Sequence, residues 1–150
     1  MSRLLFVFLL VVPGLVFAAD PIVGTWKLNL AKSKFSVPAP KSGTVTYTED
    51  GEWLVVRAES VTAEGNPTTR NSRYKLDGKK YPYDSPYGKG TISAKKTGER
   101  QGMATVTLDG GNSYTQQTGI SADGKTRTIT TSGKNAQGQT INNTVVYDRQ

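Results

Sequence analysis

From Pro21 onward the chain alternates between apolar and polar positions. Ile22, Gly24, Trp26, Leu28 and Leu30 fall on one side of an extended segment, and Val23, Thr25, Lys27 and Asn29 on the other. Past the first eighteen residues, no window carries apolar positions at helical spacing over a helix's length. β-branched and aromatic runs recur instead, cut by Asp50-Gly51, Asp77-Gly78, Asp109-Gly110, Asp123-Gly124, Glu64-Gly65-Asn66-Pro67, Thr97-Gly98 and Gln137-Gly138. Glycine accepts the positive φ that tight hairpin turns require, so each of these pairs reads as a turn. The runs between them predict strands near 22–30, 43–49, 53–62, 68–76, 89–96, 101–108, 113–120, 126–133 and 139–148, with a short extended piece at Lys80–Tyr83. Closely spaced strands with no intervening helices mean an up-and-down barrel or a sandwich.

In the first strand the apolar side belongs inside, with Trp26 filling the base of a barrel and Gly24 leaving room where another group approaches. The later strands present Tyr114, Gln116, Thr118 and Ile120, then Arg127, Ile129 and Thr131, then Ile141, Asn143, Val145 and Tyr147 at alternate positions. If these sets point inward, the lumen mixes polar and apolar groups and suits a polar-headed molecule better than a bare alkyl chain. Near Trp53 both faces carry apolar weight, and Trp53 is assigned to the cavity wall. Ala31–Lys41 reads as a long connection across one mouth. The three tyrosines of Tyr81-Pro82-Tyr83-Asp84-Ser85-Pro86-Tyr87 could rim a binding site, but the favoured reading is a Pro-rich turn whose rings pack outside the barrel.

The amino-terminal residues change the picture of location. Arg3, the apolar run Leu4–Val12, the Pro13-Gly14 break and Val16-Phe17-Ala18 have the form of a cleavable signal peptide, residues 1–18. The apolar stretch is too short to span a bilayer. Residues 19–150 then make one domain, expected to be periplasmic or secreted and monomeric. Without cysteine in the chain, packing and strand pairing alone hold it. Net charge is +7, or +6 without Arg3, and the basic residues are scattered, which fits solubility and gives no nucleic-acid stripe.

Candidate chemistry is sparse. No histidine or cysteine is present, which nearly excludes zinc chemistry and makes Ser–His or Cys–His nucleophiles impossible. Gly119–Thr126 matches the P-loop letters but runs into strand residues instead of a helix, so it cannot aim a helix dipole at phosphates. Glu59, Arg57, Tyr47 and Arg70 could furnish a Tyr/Arg/carboxylate activity, but a salt-bridged surface is the simpler reading. The Asn142-Asn143-Thr144 sequon reads as core-facing polarity. No enzyme, metal or cofactor is expected.

Gly24-Thr25-Trp26-Lys27-Leu28, the run of hairpins and the closing Val145-Val146-Tyr147-Asp148-Arg149 resemble the calycins, the lipocalin and fatty-acid-binding-protein superfamily, and the lipocalin-like domains of secreted bacterial proteins. The resemblance implies a single up-and-down antiparallel barrel of eight to ten strands. It also implies that Trp26 plugs the closed end beneath a basic side chain, Arg149 or Arg127. Two departures stand out. Val145 occupies the place of the arginine in the Arg-x-Tyr of the fatty-acid-binding proteins' last strand, leaving Tyr147, and Ala31–Lys41 is too short for their helix pair.

The resulting expectation is a non-catalytic barrel binding a small amphipathic or polar-headed molecule. In it Arg127 pairs with an anionic or carbonyl group, Tyr147 and Tyr114 donate hydrogen bonds and Trp53 adds apolar wall. The alternative is an envelope interaction module with a packed interior. A cavity above about 300 Å³ favours the first and a filled interior the second.

Overall fold

The computed structural model describes residues 19–150, and the expected signal peptide lies outside them. Ten antiparallel strands follow one another: β1 (Gly24–Lys34), β2 (Ser42–Asp50), β3 (Trp53–Val61), β4 (Pro67–Tyr74), β5 (Asp77–Ser85), β6 (Gly88–Gly98), β7 (Gln101–Leu108), β8 (Ser113–Ile120), β9 (Thr126–Lys134) and β10 (Thr140–Arg149). They form one sheet in the order β4-β3-β2-β1-β10-β9-β8-β7-β6-β5. The sheet rolls until β4 and β5 lie side by side. No backbone ladder joins that pair; side chains span the seam, Arg70 facing Asp84 at 3.7 Å and Tyr74 meeting Tyr83 edge-on at 6.3 Å. The result is an all-β, nearly closed up-and-down barrel.

Two expectations about elements need correction. The piece at Lys80–Tyr83 is part of a nine-residue strand, β5, paired with β6 through Tyr81–Ile92 and Tyr83–Gly90. Lys79, Lys80 and Pro82 had hidden its alternation, since Pro82 offers no N–H. β1 also runs on to Lys34, so the mouth connection is only residues 35–41. Asn29 pairs with Val146 and Lys34 with Thr144, so the register slips between them and residues 30–33 stand against Val145 alone. Ser33 Oγ donates to Asn29 O and accepts from Val146 N, holding the bulge. The bulge turns Leu30 out of the inward series, and it is 42% exposed.

The closed end is built around Trp26, which is fully buried and donates from Nε1 to Ile22 O at 2.7 Å. Arg149, its cross-strand partner, lies over the ring at 4.2 Å. The guanidinium also donates to Val23 O and Gly124 O, both at 2.7 Å, and to Pro21 O. Of the two arginines expected to cover the indole, Arg149 does so. Gly24 makes this possible: its φ is +132°, and a Cβ there would sit 2.5 Å from Arg149 Nη1. Cation–π contact and three charge-assisted hydrogen bonds therefore tie the chain's first and last strands to one ring.

At the opposite end, residues 35–41 cross the mouth. Ser36 donates to Asn143 Oδ1 from both its backbone and its hydroxyl, at 2.7 and 3.1 Å, and Asn143 Nδ2 donates to the Tyr87 hydroxyl at 2.7 Å. The fully buried Asn143 thus binds two mouth segments to β10. Its neighbour Asn142, the sequon asparagine, is exposed and does not face the core.

Candidate ligand-binding site

The barrel encloses a cavity of about 520 Å³, within the range of small-molecule sites. A filled interior is thereby ruled out. Leu54 and Val56 of β3 and Ile92 of β6 give it apolar wall, while Arg70, Ser72, Gln116 and Thr118 give it polar wall. Strand alternation places them, with every second residue facing in. Phe35 and Val37 of the mouth segment close over the top.

Arg127 of β9 lines this cavity and is only 4% exposed. It stands opposite Tyr147 in the β9–β10 ladder and reaches across to β2. Its guanidinium lies 4.5 Å from the centre of the Tyr47 ring and 5.8 Å from that of Tyr147, and Nη2 donates to the Tyr47 hydroxyl at 2.7 Å. Nε and Nη1 are buried with no hydrogen-bond partner. Among the described residues no carboxylate pairs with it.

A guanidinium cannot shed its proton at accessible pH, so this is a buried, uncompensated positive charge. Its tyrosine neighbours do not neutralise it. Burial pushes the Tyr147 phenol up to about 12 and those of Tyr74 and Tyr83 well up from their ordinary range. All three stay neutral near pH 7 and can donate O–H. The site is therefore one cation set among tyrosines on the cavity wall, with Nε and Nη1 lacking hydrogen-bond partners. Such an arrangement accepts a carboxylate or comparable anion by charge-assisted hydrogen bonds.

The four residues expected to bind ligand separate in the structure. Arg127 and Tyr147 come together on the cavity wall. Tyr114 is buried behind Tyr87, ring to ring at 5.3 Å, off the wall, with a hydroxyl that makes no hydrogen bond. Trp53 is on the outer face, between Arg73 at 4.4 Å and Lys75 at 5.0 Å and edge-on to Tyr81 at 5.2 Å. Its assignment to the cavity is corrected: Leu54 starts the inward set of β3, so Trp53 points out. Two site tyrosines, Tyr47 and Tyr74, are not placed in a ligand site by the sequence. Tyr47 follows Val45 at inward parity, a signal present in the sequence. Tyr74 follows Ser72 and Arg70 likewise, in a strand too polar to advertise an inner face. Tyr83, expected outside the barrel, lines the cavity with Tyr87 once β5 is a full strand, while Tyr81, on the same face of β5, packs against the core and the edge of Trp53 without lining the cavity.

The architecture recurs among solved structures. A Schistosoma mansoni fatty acid binding protein in complex with arachidonic acid matches with a TM-score of 0.64 and 17% identity, covering 87% of this chain and 97% of that one. An SAHS protein from Ramazzottius varieornatus matches at 0.63 with 9% identity, covering 89% and 98%. The zebrafish ileal bile acid-binding protein complexed with cholic acid matches at 0.55 with 14% identity, covering 87% and 99%. No protein-family model and no curated protein matches the chain. At these identities the likeness establishes a shared fold, the up-and-down antiparallel β-barrel.

Proposed function

We propose that this chain is a non-catalytic carrier of a small amphipathic acid, acting outside the cytoplasm. One observation carries the reading: Arg127 is a buried cation without a counter-ion, facing a cavity it shares with Tyr147 and reaching the Tyr47 hydroxyl. Burying such a charge costs several kcal/mol, and an anionic ligand is the partner that offsets it. The apolar stretches of Leu54, Val56 and Ile92 would hold the remainder of the molecule. The neighbouring structures with arachidonic or cholic acid agree with an acid-binding role for this kind of barrel. A location outside the cytoplasm rests on the signal-like residues 1–18.

The test is calorimetric titration of the delipidated domain, residues 19–150, with dodecanoic acid and with dodecanol. The acid should bind with the alcohol at least about tenfold weaker, since one charge-assisted hydrogen bond is worth about 1.5–3 kcal/mol. Equal affinity for both, or binding of neither, would refute the proposal.

A further inference from the structure

Besides Arg127, the cavity wall carries a second polar station of different electrical character. Arg70 of β4 and Asp84 of β5 both line the cavity and face each other across the unpaired seam, Nε to Oδ1 at 3.7 Å. That is close enough for ionic attraction and too long for a hydrogen bond, so the donors of one and the acceptors of the other are left over. Their side chains are 26% and 44% exposed. The pair is locally neutral, yet offers donor and acceptor side by side.

The ladder fixes how far this station lies from the first. Tyr47, which holds Arg127, pairs with Val56, and Val56 pairs with Ser72; Arg70 is the next inward residue along β4. Two strand spacings of about 4.8 Å and two residues of about 3.3 Å put the Arg70 and Tyr47 Cα atoms about 12 Å apart. Arg127, lacking a counter-ion, takes negative charge. Arg70–Asp84, already paired, repels a second carboxylate through Asp84 but can both donate to and accept from a hydroxyl or amide.

We infer that the ligand is bipolar: an acid whose carboxylate sits at Arg127 and whose far end carries a neutral hydroxyl or amide held between Arg70 and Asp84. This rests on the carrier reading above and narrows it to a substrate class, the hydroxylated or amide-bearing amphipathic acids. It also gives the seam a role: the other ion pair on the cavity lining, Lys96–Asp20, is already closed by a 2.8 Å hydrogen bond, whereas Arg70 and Asp84 are not.

Three probes of equal chain length separate the possibilities: dodecanoic acid, ω-hydroxydodecanoic acid and dodecanedioic acid, titrated calorimetrically into the delipidated domain. The hydroxy acid should bind a few-fold to about tenfold more tightly than dodecanoic acid, the worth of one or two partly solvated hydrogen bonds, and more tightly than the diacid. In Arg70→Met and in Asp84→Asn that advantage, taken as the ratio of the two affinities within each variant, should shrink toward unity, with urea unfolding followed by tryptophan fluorescence reporting that each variant is folded. Dodecanoic acid binding as well as the hydroxy acid would overturn the inference and leave the carrier reading intact. So would a preference for the diacid, or an advantage that survives both substitutions. Failure of all three probes to bind would remove the carrier reading itself.

Discussion

Replacing Arg127 with methionine should separate stability from binding. Methionine fills a similar stem volume without charge. The substitution removes the hydrogen bond to the Tyr47 hydroxyl, worth about 1.5–3 kcal/mol for a charged donor, and a cation–π contact worth about 0.5–2 kcal/mol. Against that loss of about 2–5 kcal/mol stands relief from a desolvated guanidinium. Its burial costs several kcal/mol, including about 1–3 kcal/mol for each of the unpartnered Nε and Nη1 donors. The two ranges overlap, so these contributions nearly cancel, and the remaining desolvation of the guanidinium tips the balance by up to about 3 kcal/mol toward the variant. Ligand-free Arg127→Met should thus be as stable as the parent or more so, with a melting point up to about 10 °C higher at about 3–4 °C per kcal/mol. Its affinity for dodecanoic acid should fall tenfold to hundredfold or more. Urea unfolding followed by tryptophan fluorescence, on protein stripped by unfolding and refolding, measures the first quantity and calorimetry the second. Loss of more than about 2 kcal/mol in the ligand-free variant would refute the reasoning, because Arg127 would then be a structural strut.

Other positions give independent checks. Gly24→Ala forces a Cβ against Arg149 at a φ of +132° and should cost about 2–4 kcal/mol in urea unfolding. Gly119→Ala, where a Cβ meets nothing within 4 Å, should cost under about 1 kcal/mol, and equal effects would deny the close approach. On the alkaline side, Tyr147 is protonated in the fold up to about 12, whereas in the unfolded chain it ionises near its ordinary value of about 10. The unfolded chain then holds fewer protons, so stability present below pH 10 should drop by roughly 2–3 kcal/mol on rising toward pH 12. Phenolate absorbance would show it, and native titration of all seven tyrosines near pH 10 would contradict it. Trp53→Ala should leave dodecanoic acid affinity within about twofold and cost about 1 kcal/mol of stability; a tenfold loss of affinity would put that ring back inside.

Strand number and connectivity were legible because each turn carries its own chemistry, Asp-Gly above all, and because inward sets such as Arg127-Ile129-Thr131 keep strict alternation. What escaped detection has physical causes. The bulge held by Ser33 depends on a side-chain-to-backbone bond to β10, over a hundred residues away, and no local pattern announces it. Trp53 sits where both faces of a strand are apolar, so periodicity cannot choose between them, and its outward place is settled by Arg73 and Lys75 on other segments. β5 was masked by a proline and two lysines. The anion site was half visible: Arg127 and Tyr147 share a row, but the reach from β9 across the lumen to Tyr47 is a property of barrel curvature, not of spacing along the chain.

The sheet order sets a timetable. β1 pairs with both β2 and β10, so the first and last of the described strands are neighbours in the middle of the sheet, while the seam falls between β4 and β5. Hairpins can form as soon as each turn is made, but the ladder joining Trp26 to Arg149 must wait for the last ten-residue strand. Joining residues so far apart carries a loop-closure penalty and makes acquisition of the native state slow. Until then the indole has no guanidinium over it, and the closed end of the barrel stays unsealed.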